Sequence, residues 1–400
     1  MKKLLLVITI LILFMLVACT GNTSTSLPMN DADTVATIVA GTLTAFPSVT
    51  STLETAAAFT QEPPSVLPQS LYYSAKDSSG KFQIYRLGRN GISVTQITFE
   101  QMDVLNFDVT SIDGSIAYII ESNLIVTDAD GNNRQSLVQD PNIQYSLSWS
   151  PDGKMISYQS GNDVVIYSLT TGDNEVLISG SETETNWPVS FSPDSKKLLI
   201  RQRINPSAPG GWVLIYDFAT QSLTPMGAGQ PKNGSNNCYN GNVTWDSPDV
   251  FFCHKDVFAG GGGEGVWRVN ANDGSVEALI FSESCPPCSP VAAPHQNSDG
   301  YLYYLYREVE NIDNPHPSLL LTRSKTDGVT DRVILRPETF TVSYALWTPD
   351  GNALLIAQNN GTSSTSTNLI LIPVDPSLPV VTILSDASNF GSNSPRWGQP

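Results

Sequence analysis

The chain has 400 residues, enough for two or three average domains or for one large all-β unit. Its 38 acidic against 21 basic residues give a formal charge of −17, which excludes a general nucleic-acid binder, because neutralising phosphates takes clustered Lys and Arg. Three histidines leave little for His-based catalysis or a His-rich metal site, and 29 Gly with 27 Pro fit a loop-rich β protein rather than a collagen-like or wholly disordered one.

The N-terminus reads as an export signal over residues 1–18. Lys2 and Lys3 form a positive region, and Leu4 to Ala18 is an apolar run broken only by Thr9. The run is short for a membrane-spanning helix, which needs about 20 residues, and it suits a signal peptide. It ends in Leu16-Val17-Ala18-Cys19, which resembles a bacterial lipobox. The resemblance implies lipid on the Cys19 sulfur, cleavage after Ala18 and acylation of the new N-terminus; several acyl chains anchor stably where one does not. Cleavage removes two lysines, so the remaining body is still more acidic and is repelled by anionic headgroups. It is expected to stand off the membrane as a monomer, facing periplasm or cell exterior.

Residues 19–68 are rich in Thr, Ser, Ala and Pro and read as a tether. Asp31 to Leu43 places Val35, Ile38, Val39 and Leu43 near helical spacing, but so short and β-branched a helix is marginal alone.

From residue 69 onward, short apolar runs alternate with turn residues, the signature of an all-β repeat array. One phrase recurs: Trp149-Ser150-Pro151-Asp152-Gly153, Phe191-Ser192-Pro193-Asp194-Ser195, Trp347-Thr348-Pro349-Asp350-Gly351 and the shifted copy Trp245-Asp246-Ser247-Pro248-Asp249. It encodes a tight turn, in which Pro presets φ, Asp follows and Gly accepts positive φ. A second strand follows each turn (for example Ile116 to Ile120 and Leu198 to Gln202), then a third (Val164 to Leu169, Val213 to Phe218) and a fourth (Val94 to Thr98, Glu175 to Ile178). Seven units result. The first lacks an opening strand, and Ser394-Pro395-Arg396-Trp397 at the far end supplies one, which predicts a ring closed by the C-terminal strand. The array is similar to the TolB-type, WD40-like propeller repeats, and the resemblance implies a seven-bladed β-propeller with a protein-binding role.

The chemistry-bearing candidates are few. Asp152, Asp194, Asp249 and Asp350 recur once per blade and read as turn residues rather than catalytic carboxylates. Asp128-Ala129-Asp130-Gly131-Asn132 lacks the Gly and Glu of a calcium loop and reads as a hairpin turn. No nucleophile elbow or dinucleotide fingerprint is present, and no metal or cofactor is expected. In an exported chain, Cys238, Cys253, Cys285 and Cys288 suggest two disulfides, Cys238 with Cys253 and Cys285 with Cys288, although cross-pairing is compatible with the sequence. The loops between second and third strands are long in the fourth to seventh units (204–211, 256–265, 308–317 and 359–367), as are the connections 226–242 and 281–290. All fall on one face, which makes that rim the candidate binding surface, with Trp187, Trp212, Tyr239 and His316 as contact residues. The reading is a non-enzymatic envelope module for a protein or glycan partner. The alternative is an enzyme acting on envelope carbohydrate, which needs two facing carboxylates at the channel, about 5 to 9 Å apart.

Overall fold

The structure, a computed structural model, describes residues 65–204, 211–227, 242–255, 264–282, 290–308, 318–359, 367–385 and 394–399. The chain divides into residues 1–60 and 61–400, and the described part belongs to the second unit. The export signal, Cys19, the tether and its helical candidate lie outside the described residues, as do most of the long-loop residues.

The second unit is a seven-bladed β-propeller: seven sheets, each of four antiparallel strands, which follow one another in the chain in every blade but the first. Blade 2, for example, runs Val104–Val109, Ile116–Ile120, Asn123–Thr127 and Gln135–Gln139. Exposure follows strand position. The second strand of blade 2 is buried throughout, whereas the fourth strand of blade 1, Val94–Gln96, is largely exposed. That explains why second strands read as continuous apolar runs, for both faces of each sheet pack against a neighbouring blade. Leu198, Leu199 and Ile200 show it directly: Leu198 and Ile200 face blade 3, while Leu199 between them faces blade 5. The buried apolar residues form seven clusters, one at each blade interface, so the core is a ring of interfaces.

The C-terminal strand Arg396–Gly398 pairs with Ser70–Tyr72 and becomes the first strand of blade 1, as the sequence predicts. It also reaches both neighbours. The Trp397 indole Nε1 donates to the Trp347 carbonyl of blade 7 at 2.8 Å. On the other side, Arg396 Nε donates to Asp108 Oδ1 of blade 2 at 2.8 Å. Gly114, at φ +75°, lies so close to the end of the chain that a Cβ there would stand 1.6 Å from the Gln399 carbonyl oxygen.

The turn phrase folds as its residues dictate. Ser150 Oγ donates to Asp152 Oδ1 at 2.7 Å, and Asp152 Oδ1 also accepts from Lys154 N. Ser192, Asp194 and Lys196 repeat the arrangement. The shifted copy has one extra residue. The ladder absorbs it as a bulge between Trp245 and Ser247, which leaves Asp246 free to bond outside the turn. Asp128 accepts from Asp130 N, Asn132 N and Asn133 Nδ2, a side-chain-capped hairpin turn.

Candidate binding site at the central channel

Where the first strands of the seven blades converge, they enclose a cavity of about 550 Å³ to which every blade contributes. Its apolar wall includes Trp149, Phe191, Trp245, Ala293 and Trp347. These aromatics end their strands and pack between sheets, which is why the phrase opens on a large ring. The titratable residues in the described lining are Asp108, Arg201, His254, Tyr344 and Arg396. Asp108 is fully engaged: Oδ1 accepts from Arg396, and Oδ2 accepts the backbone N–H of Trp149 at 2.8 Å. Arg396 Nη1 donates to the carbonyls of Ser394 and Pro395 at 3.2 Å each. Burial is the largest influence on the Arg396 guanidinium and pulls it down, but Asp108 and the Tyr344 phenol outweigh it, so its pKa is raised. Burial raises the Tyr344 phenol as well.

A second cavity, of about 460 Å³, lies where turns of blades 5, 6 and 7 meet. Its buried member is the bulge residue Asp246. Its carboxylate accepts Gln296 N at 2.7 Å and holds His295 Nδ1 at 2.7 Å, clasping blade 5 to blade 6. The His295 ring stacks on Trp347 with centroids 5.0 Å apart, which extends the contact to blade 7.

Of the residues picked from sequence, Trp187 sits half-buried on the first strand of blade 4, opposite Arg201. Trp212 opens the third strand of that blade and is 39% exposed. Cys253 is fully buried on the second strand of blade 5. Tyr239, His316, Cys238, Cys285 and Cys288 lie outside the described residues. The turn aspartates fall one to a blade, in blades 3, 4, 5 and 7. The sequence reading missed Asp108, Arg201, Tyr344 and Arg396, which are scattered along the chain and meet only because the ring closes. It also missed Tyr145, 65% exposed on the first strand of blade 3, adjacent in the ring to blade 4 with Trp187 and Trp212. Arg396 had one available signal, its place inside the closing phrase.

No family model matches the chain. Over 103 residues it is 29% identical to the Tol-Pal system protein TolB of Xylella fastidiosa, strain M12, which covers 22% of this chain and 24% of that protein. The chain therefore matches about a quarter of that relative's length. Among solved structures, a prolyl endopeptidase superposes with a TM-score of 0.54 at 14% identity, covering 81% of this chain and 50% of that one. An oligogalacturonate lyase of Vibrio parahaemolyticus superposes with a TM-score of 0.52 at 14% identity, covering 78% and 88%. The class is thus a seven-bladed β-propeller, TolB-like in its repeats. At these identities the solved structures show the fold alone.

Proposed function

We propose that this chain is a lipid-anchored cell-envelope propeller acting as a non-enzymatic binding or scaffold module for a protein or glycan partner. In this reading residues 1–18 are the signal, 19–68 the tether from lipidated Cys19, and 69–400 the propeller. The observation that carries it is the state of the channel. A glycosidase needs two carboxylates facing each other across the substrate, about 5 to 9 Å apart. The described lining offers one, Asp108, and both its oxygens are committed to holding blades together. Exposed Tyr145 and Trp212 supply aromatic surface of the kind binding faces use. Likeness to TolB, by its name a Tol-Pal system protein, supports a protein partner in the envelope. In this reading Cys253 pairs with Cys238; peptide mapping without reductant is expected to recover that pair, and Cys253 joined to Cys285 or Cys288 would correct the connectivity.

The test is capture from envelope extract with the full, lipidated chain as bait, beside an assay for release of reducing ends from envelope glycan. Retention of a partner without turnover is the expected result. Turnover of glycan would favour the enzymatic alternative.

A further inference from the structure

We infer that the second cavity, where turns of blades 5, 6 and 7 meet, binds a cationic group, a primary ammonium or a guanidinium. This deepens the reading of the propeller as a binding module and rests on it. The cavity forms where the repeat breaks. Blades 3, 4 and 7 keep the aromatic, the Ser or Thr, the Pro and the Asp in register. Blade 5 inserts Asp246 into the phrase, and blade 6 carries His295-Gln296-Asn297-Ser298-Asp299-Gly300, without the aromatic or the Pro. The two departures are neighbours in the ring and they meet: Asp246 Oδ1 lies 2.7 Å from His295 Nδ1, and Oδ2 accepts Gln296 N at 2.7 Å. Places where a regular molecule breaks its own local rule are where function is expected. Stability alone does not call for this pair. The Asp246 side chain is only 6% exposed, burying its carboxylate costs solvation, and packed apolar side chains hold an interface as well or better.

The imidazole of His295 is held in place by Asp246 at Nδ1 and by the stack on Trp347, centroids 5.0 Å apart. A carboxylate only accepts, so Nδ1 carries the proton and the lone pair of the neutral ring sits on Nε2. Among the described residues Nε2 has no hydrogen-bond partner. It lies beside Gly351, where a Cβ would stand 2.9 Å from both Nε2 and Asn297 Oδ1, so glycine leaves these two acceptors uncovered. Asp350, one residue earlier in the same turn, adds an exposed carboxylate from blade 7. The described lining holds the carboxylates of Asp246 and Asp350 and no Lys or Arg. An imidazole nitrogen, an amide oxygen and carboxylates all accept, so the group that fits them brings donors and positive charge. A metal ion fits less well, because no three His, Cys, Asp or Glu side chains among the described residues come together as ligands. A cavity of about 460 Å³ is within the range that holds small molecules. The shared chemistry is an ammonium or guanidinium, carried either by a small free amine or by a Lys or Arg side chain of a peptide.

Calorimetric titration of the full chain tests this with putrescine and agmatine, with a pentapeptide bearing Lys and Arg, and with butanediol as the neutral match. Saturable binding of a cation, at least about tenfold tighter than the diol, is expected, and Asp350→Asn is expected to weaken it about tenfold. An acidic protein attracts cations everywhere on its surface. Asp194→Asn, which removes the same charge from the blade 4 turn, is therefore expected to leave the affinity unchanged. The chain has three histidines, so their imidazole nitrogen resonances are separable, and the bound cation is expected to shift the Nε2 signal of His295. Binding by the small amines or only by the peptide supports the inference and tells the two sources apart. Equal binding of putrescine and butanediol overturns it, as do an equal effect of Asp350→Asn and Asp194→Asn or an unmoved His295 signal at saturation. The diol comparison and the His295 signal need no variant, so a misfolded variant leaves the test intact. Envelope capture that succeeds while every cation fails overturns this inference alone. Cation binding without a captured partner leaves it standing and removes the macromolecular partner.

Discussion

Asp152, Asp194 and Asp350 show how one side chain can be read two ways. Each is a carboxylate in a repeated phrase near a channel, which is how a catalytic acid looks in a sequence. In each, burial is the largest influence and pushes the carboxyl up, but hydrogen bonds from the neighbouring Ser or Thr hydroxyl and from the turn's backbone N–H outweigh it and leave the pKa below the ordinary value. A folded-state pKa below the unfolded one stabilises the fold above the unfolded value, and that contribution fades as pH falls through the folded one. The thermal midpoint is therefore expected to drop below about pH 4, and a variant with all three changed to Asn is expected to lose part of that acid sensitivity. At the other end of the chain, Cys19→Ser is expected to abolish labelling by a fatty acid that marks the unaltered protein. Equal label on both would remove the lipid anchor from the proposal.

At the scale of strands and blades, the closing strand and the Asp246 clasp matter most. Arg396–Gly398 is three residues long, yet it pairs with blade 1, bonds to blade 7 through Trp397 and bonds to blade 2 through Arg396. Truncation before Arg396 is expected to cost about 3 kcal/mol or more, since loss of a packed Trp alone is of that order. An unchanged thermal midpoint would contradict ring closure. Gly114→Ala tests the same closure from the other side. A Cβ there meets a backbone carbonyl and sits at positive φ, so the substitution is expected to lower the midpoint, whereas Gly300→Ala, with the same φ sign but open space, costs only the conformational part. Asp246→Ala strips a buried N–H and an imidazole of their acceptor and is expected to cost about 2 kcal/mol, measured by denaturant unfolding.

At the scale of the whole molecule, the seven interfaces are alike in kind, and the asymmetry lies in the loops. In sequence, the long loops and all four body cysteines fall within or between the segments of units four to seven, mostly outside the described residues. Loops held on a rigid frame bind without paying the full cost of ordering. Shortening 256–265 and 308–317 to tight turns is expected to leave the circular dichroism spectrum intact and to weaken capture of the envelope partner. Unchanged capture would move binding to the channel or the opposite face.

The sequence alone determined the blades, because its information is local and periodic. A turn of Pro and Asp after an aromatic, legible in four of the seven units, specifies a strand pair wherever it occurs, and seven sets of strands with one strand displaced to the far end specify a closed ring. Blade count, strand order and the role of the turn aspartates were legible for that reason. Only the tertiary structure decided which residues face the channel. Asp108 and Arg396 are 288 positions apart, and no local period links them. Nor does the phrase explain Asp246, since it is the residue that breaks the phrase; its role appears once a bulge turns its carboxylate toward the next blade. Local chemistry wrote the repeat, and closure of the ring, by bringing distant side chains to a common axis, made the site.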